Sequence, residues 1–359
     1  MNSSNLSFDF CGQPLGDGVA PWIVAEVGLN HNGDVELAKR MLRSAKENGA
    51  DAVKLQTFVS TELVSRRALM RDPDHPETNI HQYEFFQRYE LKREEYAALF
   101  ELAKELDLPL FSAPFDDQSL EMLADLGCPA FKIASPDLTY HEFLKRVARL
   151  GRPVVLSSGT SSLAETKAAA QVIRDAGNER LVVLHCVSHY PAVREEMNLN
   201  CLPLLRETLG VPVGLSDHTM DSASALAATA LGAAMIEKHF TLDRKLPGPD
   251  QPLSIEPGEL RELKTLSQNI FQTLGKAVKE SQPEEEPVKQ SARRSLTALV
   301  DIEPGTVLTR EMIGVKRPGT GIQPGQLERA IGCVSRTQIF SDQTLTWDLI
   351  RPPESNGSK

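Results

Sequence analysis

Cysteine is scarce in this sequence and is not arranged in pairs. Five cysteines are spread over 359 residues without a CxxC spacing: Cys11, Cys128, Cys186, Cys201 and Cys333. An odd, scattered set argues against a disulfide-stapled secreted scaffold. It is typical of buried thiols in a reducing compartment.

Excess positive charge and long apolar runs are also missing. The formal net charge is -10, which argues against broad binding to nucleic acid or to a membrane surface, although a local cluster of lysines can still bind an anionic substrate. No run is long enough to cross a bilayer, and the first residues show no basic segment followed by an apolar stretch. We therefore expect a cytoplasmic enzyme that binds neither nucleic acid nor a membrane.

What the sequence does contain is a regular alternation of strand-like and helix-like segments. A hydrophobic content of 41% over 359 residues is enough for one large domain and one small one. Short apolar strands are predicted at eight places, in alternation with segments of helical spacing: Trp22 to Val27, Ala52 to Thr57, Leu108 to Phe111, Ala130 to Ala134, Pro153 to Leu156, Leu181 to Cys186, Val211 to Leu215 and Ala233 to Ile236.

Eight such units in about 250 residues indicate a (β/α)8 TIM barrel, an α/β fold whose active site lies at the carboxyl ends of the strands. A doubly wound sheet is the alternative, but no GxGxxG follows any of these strands and no GxxxxGK[ST] is present. The segment from Val59 to Phe86, which carries Pro73 and Pro76, is too long for an ordinary loop. It is either a lid over the barrel mouth or a surface loop.

The chain changes character after a closing helix predicted from Pro257 to Leu274. Residues 281–292 have the proline and charge content of a linker. From residue 293 onward, short β-rich pieces alternate with Pro-Gly turns. We therefore predict a barrel domain at residues 1–280, a linker at 281–292 and a small, mostly β domain at 293–359.

Two histidines, His218 and His239, come just after the last two predicted strands. Neighbouring parallel strands end at the same edge, so the two imidazoles are expected to face each other. On spacing alone, an ordinary hydrogen-bonded histidine is the commoner case. A metal pair is favoured by the polar neighbours that are expected to crowd around both histidines, namely Ser216, Asp217, Thr219, Glu237 and Lys238. With waters and a carboxylate, such a pair suits an open catalytic site for Mn²⁺, Co²⁺, Fe²⁺ or Zn²⁺.

Polar side chains are concentrated at the ends of the predicted strands. In a closed barrel all eight ends surround one mouth, which predicts a pocket for a phosphate or carboxylate group, although any one of these residues is also explained by solvent exposure. The strand-end residues are Glu26, Lys54, Gln56, Ser112, Lys132, Ser135, Ser157, Ser158, Ser188, Tyr190, Ser216, His218, Glu237 and His239. Asp250, in the turn-rich loop after the eighth strand, is placed to bind hydroxyl groups.

Short motifs follow one another along nearly the whole chain: AEVGLNHNG (25–33), KLQT (54–57), FKIAS (131–135), LSSGT (156–160), CVSHYP (186–191), GLSDHT (214–219), EKHF (237–240) and GPD (248–250). Together they resemble the sialic acid (N-acetylneuraminate) synthases. The later motif GVKRPG (314–319) resembles the antifreeze-like SAF domain of that family.

The resemblance implies that phosphoenolpyruvate condenses with an open-chain N-acyl hexosamine to give a nine-carbon 2-keto acid and phosphate. It implies that His218 and His239 hold Mn²⁺ or a similar ion, and that Glu26 is the catalytic carboxylate. By the same likeness, Arg317 reaches the sugar in the partner's barrel, so a domain-swapped homodimer is expected. Positions matching phosphoenolpyruvate ligands are Lys54, Lys132, Ser135, Ser157, Ser188 and Ser216, and those matching sugar ligands are Gln56, Asp137, Tyr190 and Asp250.

Four departures from the family's pattern bear on the substrate. They are Ser188 in place of asparagine, Pro136-Asp137 in place of Gly-Glu, Ala113 in place of threonine, and Gln251 after Asp250. The acceptor is therefore either N-acetylmannosamine or, as in the synthases for legionaminic and pseudaminic acid, a 2,4-diacetamido-trideoxyhexose. An alternative of another class is a non-catalytic glycan-binding accessory protein of surface-polysaccharide biosynthesis, but retention of Glu26 and both histidines favours an enzyme.

Overall fold

Eight parallel strands close into a barrel in the computed structural model, which describes residues 6–72 and 77–353. The chain divides into two units, Met1–Gly275 and Lys276–Lys359. The strands of the first unit are β1 (Ser7–Phe10), β2 (Gln13–Gly16), β3 (Trp22–Gly28), β4 (Ala52–Thr57), β5 (Leu69–Arg71), β6 (Asn79–His81), β7 (Leu110–Pro114), β8 (Phe131–Ile133), β9 (Val154–Ser157), β10 (Leu181–Cys186), β11 (Val213–Asp217) and β12 (Met235–His239).

Helices follow the barrel strands, so the predicted (β/α)8 architecture is confirmed. Around the barrel the strand order is β3-β4-β7-β8-β9-β10-β11-β12, and β12 pairs with β3 to close the ring. The helices of this unit are α1 (Val35–Glu47), α2 (Ser60–Leu63), α3 (Gln82–Gln87), α4 (Arg93–Glu105), α5 (Asp117–Asp125), α6 (His141–Arg149), α7 (Leu163–Asp175), α8 (Cys201–Leu209), α9 (Ala223–Ala230) and α10 (Pro257–Leu274).

Several strand boundaries differ from the predicted ones in the same direction. Strands β7, β11 and β12 begin and end two or three residues later than the apolar runs indicate. The physical reason is that the barrel interior accepts polar side chains near its carboxyl end, so each strand continues past its last apolar residue. His239 is therefore the last residue of β12, and His218 directly follows β11.

A β-hairpin that was not predicted packs against the amino-terminal end of the barrel. Strands β1 and β2 are antiparallel, and Phe10 is fully buried between the rings of Trp22 and Phe111, with centroid distances of 5.0 and 5.7 Å. The Trp22 indole N–H donates to the Pro14 carbonyl at 3.0 Å. Because these rings fill the amino-terminal end of the barrel, the hairpin belongs to the core of the barrel.

The long segment after β4 has a small apolar core of its own. Strands β5 and β6 form a hairpin, and Phe85 of α3 is buried with Leu29 and Phe58 from the loops that follow β3 and β4. Pro73 and Pro76 lie outside the described residues. The segment is thus a packed structure at the carboxyl side of the barrel, and its function as a lid stays a prediction.

The second unit is small and mostly β. Its elements are α11 (Glu286–Ala292), β13 (Ser295–Ala298), β14 (Ile313–Lys316), α12 (Leu327–Ala330), β15 (Val334–Ser335) and β16 (Ile350–Arg351). Its own apolar core includes Leu296, Leu308, Ile313 and Ile339. The predicted linker at 281–292 contains α11, and its role as a linker stays a prediction. Within the described residues, no helix is both long and apolar enough to cross a membrane.

Replacing Phe10 by alanine should destabilise the first unit. Removing a fully buried phenylalanine leaves a cavity and costs about 3–5 kcal/mol, so the urea midpoint of unfolding should fall clearly. Leu204→Ala is the control, since Leu204 is 47% exposed and its truncation should change stability by less than about 0.5 kcal/mol. Equal midpoints for the two variants would contradict a core role for the hairpin.

Candidate active site

Four charged side chains meet inside the carboxyl end of the barrel. Glu26 on β3 and Lys54 on β4 are register partners, and Lys54 Nζ lies 3.2 Å from Glu26 Oε2. Glu237 on β12 contacts both lysines, with its Oε1 3.0 Å from Lys54 Nζ and 3.5 Å from Lys132 Nζ. All four are almost completely buried. Two carboxylates thus balance two ammonium groups in a cavity from which water is largely excluded.

The two carboxyl groups have different acidities. Burial alone would raise the pKa of Glu237, but the ammonium groups of Lys132 and Lys54 lower it to about 2. At Glu26 burial dominates, and it raises the pKa to about 7 although Lys54 acts in the opposite direction. Glu237 therefore keeps its charge, while Glu26 is able to carry a proton near neutral pH.

The two predicted histidines lie side by side at the ends of β11 and β12. Their ring centroids are 5.4 Å apart. His218 Nδ1 lies 2.9 Å from the Val187 carbonyl. Because a carbonyl can only accept, Nδ1 carries a hydrogen. Burial acts to lower the pKa of His218, but the Cys186 thiol and the Val187 carbonyl raise it above its ordinary value. The Tyr190 ring covers His218, with centroids 4.2 Å apart.

His239 has the properties of a metal ligand. It is 6% exposed, and its Nδ1 forms no hydrogen bond within the part of the chain that the structure describes. Burial, followed by the nearby His218 and Lys54, holds the pKa of His239 well below its ordinary value, so the imidazole is in the neutral form that binds metals. Among the described residues there is no group of three or more His, Cys, Asp or Glu side chains arranged to hold an ion.

Two polar side chains converge next to Glu26. Gln56 Nε2 donates to Glu26 Oε1 at 3.1 Å, and Asp250 Oδ2 lies 3.7 Å from His239 Nδ1. Gly28 stands between them with φ +51°, and a Cβ there would lie 3.1 Å from Glu26 Oε1 and 3.4 Å from Asp250 Oδ2. A glycine at this position therefore allows the acid, the amide and the second carboxylate to share one space.

Hydroxyl groups also lie beside the cluster. Ser216 Oγ donates to Glu237 Oε1 at 3.0 Å, and the Gly159 N–H donates to Ser135 Oγ at 3.0 Å. Ser157 Oγ is buried and has no hydrogen-bond partner among residues 6–72 and 77–353. A Cβ on Gly159 would overlap Ser188 Oγ and lie 2.8 Å from Ser135 Oγ. Gly159 thus brings two of the predicted serines together.

Asp137 follows Ser135 in a short 3-10 turn after β8. Burial raises the pKa of Asp137 to about 6, although Lys132 acts to lower it. Its Oδ2 is buried without a hydrogen bond to any described residue. The carboxyl group is therefore available to a ligand.

Not every predicted neighbour enters this cavity. Asp217 and Lys238 were expected to crowd around the histidines, but they form an ion pair with each other at 2.9 Å. Successive side chains of a strand point to opposite faces, so Asp217 and Lys238 lie on the face opposite to Ser216 and Glu237. Arg317 directly follows β14 in the second unit, and its predicted role at a partner's site stays a prediction.

Three residues central to this geometry were not among the predicted catalytic or substrate ligands. Glu237 was assigned only as a polar neighbour of the histidines, although it contacts both lysines. Gly28 and Gly159 carry no functional group, so a search for reactive side chains does not select them. Gly28 is the last residue of β3 and Gly159 stands two residues after the end of β9. This position at the ends of two strands was the signal available in the sequence.

A family model described as NeuB family matches residues 41–279, and one described as SAF domain matches residues 293–351. The chain belongs to the NeuB family. It is 36% identical over 345 residues to the N,N'-diacetyllegionaminic acid synthase of Legionella pneumophila, covering 94% of this chain and 97% of the relative. It is 37% identical over 334 residues to the pseudaminic acid synthase of Helicobacter pylori, covering 92% and 98%.

A solved structure supports the same assignment. The N-acetylneuraminic acid (sialic acid) synthetase of Leptospira borgpetersenii superposes with a TM-score of 0.72 at 33% identity, over 80% of this chain and 96% of that one. The resemblance to sialic acid synthases with a SAF domain is thus confirmed, and so is the expectation that this NeuB-family protein is a condensing transferase.

Replacing Gly159 by alanine should destabilise the barrel. The added methyl group meets the hydroxyls of Ser188 and Ser135, and overpacking of this kind costs about 1–3 kcal/mol. The control is Gly258→Ala, because a Cβ on Gly258 in α10 meets nothing within 4 Å. Urea unfolding should show a lower midpoint for Gly159→Ala alone, and equal midpoints would refute the close packing of the two serines.

Proposed function

We propose that this chain condenses phosphoenolpyruvate with the open-chain form of an N-acyl hexosamine, giving a nine-carbon 2-keto acid and phosphate. The observation that carries the proposal is the buried cluster in which Lys54 and Lys132 share Glu237 beside Glu26. A small polyanion is the ligand that two desolvated ammonium groups favour most strongly.

The lysine side of the cluster suits phosphoenolpyruvate. Lys54 and Lys132 offset the charges of its phosphate and carboxylate groups, and the hydroxyls of Ser135, Ser157 and Ser216 supply short, uncharged donors. The unpartnered Ser157 Oγ is one such donor within the described residues. The Ser188 hydroxyl lies so close to Gly159 that a Cβ there would overlap it. It completes the proposed set of phosphoenolpyruvate ligands.

A second set of side chains suits a polyhydroxylated sugar. Gln56, Asp137 and Asp250 offer amide and carboxylate groups to hydroxyls and to an N-acyl N–H, and the Tyr190 ring offers an apolar face. Tyr190 is 50% exposed, so it lies at the entrance of the cavity. Ligand pockets commonly combine aromatic side chains with a few polar groups of the protein that fix the orientation of the ligand.

His218 and His239 fit a divalent cation, for which we propose Mn²⁺. His239 Nδ1 is buried and has no hydrogen bond to any described residue, and Nδ1 of His218 is engaged by the Val187 carbonyl, which leaves Nε2 as its donor once deprotonated. Waters would complete the coordination. When bound, the ion supplies a positive charge that polarises the aldehyde of the sugar.

The chain's own groups account for the remaining requirements. The new bond joins C3 of phosphoenolpyruvate to the aldehyde carbon, water adds at C2, and the bond between C2 and the phosphate oxygen breaks. Lys54 and Lys132 offset charge on the departing phosphate. Glu26, whose pKa is raised by burial to about 7, is the group we expect to give or accept a proton.

The acceptor sugar is either N-acetylmannosamine or a 2,4-diacetamido-trideoxyhexose. Relatives at 36% and 37% identity are named as synthases of two different products. We also propose that the chain acts as a domain-swapped homodimer in which Arg317 contacts the sugar bound by the partner.

Purified protein given phosphoenolpyruvate, Mn²⁺ and a panel of these sugars should release phosphate with at least one of them. The mass of the product should equal the sum of phosphoenolpyruvate, sugar and water less phosphoric acid. A reaction without sugar, and one with Lys132→Met, serve as controls and should release little phosphate. Phosphate release without a nine-carbon product, or no release with any sugar, would refute the proposal.

His239→Ala should abolish Mn²⁺ binding and lower turnover by at least about a hundredfold, because a two-histidine site loses half of its protein ligands. His189→Ala is the matched control, since the His189 side chain is 58% exposed and pairs with Glu196. Calorimetric titration with Mn²⁺ measures binding directly. An unchanged affinity in His239→Ala would exclude this residue as a ligand.

A further inference from the structure

A buried ion pair joins β11 to β12 at the register pair that comes directly before the two histidines. Asp217 and Lys238 are register partners, and each directly precedes one histidine of the pair. Lys238 Nζ lies 2.9 Å from Asp217 Oδ2, and the two side chains are 1% and 0% exposed. The link therefore sits at the point where the two strands present their imidazoles.

The same two residues also fix the chain beyond His218. Asp217 Oδ1 accepts hydrogen bonds from the Thr219 N–H at 2.9 Å and from Thr219 Oγ1 at 2.8 Å. Lys238 Nζ donates to the Thr219 carbonyl at 2.5 Å. Residues 217 and 219 are thereby held on both sides of His218, by a lysine that belongs to the neighbouring strand.

Stability alone explains this arrangement poorly. Taking two opposite charges out of water costs about as much as their attraction returns, and an apolar pair of similar volume is often equally stable. Buried polar groups of this kind are most useful where they impose one geometry. Here they fix the relative position of the two strand ends. They also fix His218, the loop residue between Asp217 and Thr219.

We propose that Asp217 and Lys238 are positioning residues that set the separation of the His218 and His239 imidazoles, and thereby the affinity of the site for a divalent cation. This inference rests on the proposed metal-dependent function. Neither residue reaches the cavity, because alternation along β11 and β12 turns both away from Ser216 and Glu237.

Mn²⁺ binding to the full chain, followed by the electron paramagnetic resonance signal of free Mn²⁺, tests this role without turnover. Lys238→Met removes both the ion pair and the bond to the Thr219 carbonyl. We expect a ten- to hundredfold weaker affinity, the usual effect of losing a group that orients a metal ligand. The double variant Asp217→Asn with Lys238→Met leaves no unpaired buried charge, so it should fold even if the single variant does not, and it should also bind Mn²⁺ more weakly.

Lys264→Met is the matched control. Lys264 Nζ pairs with Asp51 Oδ1 at 2.6 Å, and Asp51 in turn accepts from the Ile23 N–H at the amino-terminal end of the barrel. This variant loses an ion pair whose side chains are 17% and 27% exposed and which lies near the opposite end of β3 from the histidines. Thermal stability should fall while Mn²⁺ affinity stays at the wild-type value.

Wild-type affinity in both the Lys238→Met and the double variant would overturn the positioning role. An equal loss of affinity in Lys264→Met would overturn it as well, since the effect would then be general destabilisation. If the wild-type chain itself does not bind Mn²⁺, the proposed metal site fails instead, and the positioning role toward it fails with it. The wild-type titration therefore separates failure of the proposed function from failure of this inference.

Discussion

Glu237 is the group on which the geometry of the site depends. Its carboxylate contacts Lys54 and Lys132 inside a closed barrel, and the Ser216 hydroxyl donates to the same oxygen. Without this negative charge, two ammonium groups would share a nearly dry cavity, which is strongly unfavourable. Its strong acidity follows from the same contacts. Together with Glu26, which also contacts Lys54, Glu237 thus allows the barrel to fold with both lysines already in place.

That arrangement depends in turn on strand register. Glu26 pairs with Lys54, and Ser216 pairs with Glu237, so each contact joins neighbouring strands at the same height in the barrel. The ring is closed by β12 pairing with β3, which brings the first and last strands of the barrel together. A shift of one residue in either strand would turn the charged side chains toward the helices.

Much of the fold could be predicted from the sequence, whereas the contacts between side chains on neighbouring strands depended on strand register. The bounds of β4, β10 and α10 agree with the predicted ones, because apolar periodicity marked those elements clearly. Strands β11 and β12 were placed too early, since their last residues are polar and were assigned to loops. The partners of Asp217 and Lys238 could not be derived, because a contact between two strands is visible only once their alignment is known.

The site is divided into a buried charged floor and a more open rim. Glu26, Lys54 and Lys132 lie on the floor and are at most 4% exposed, so any exchange there disturbs the charge balance that the barrel requires. Tyr190 at the rim is half exposed and is free of that constraint. Under the proposed function, sugar choice would change at the rim while the charged floor stays the same, which agrees with relatives that are named as synthases of different products.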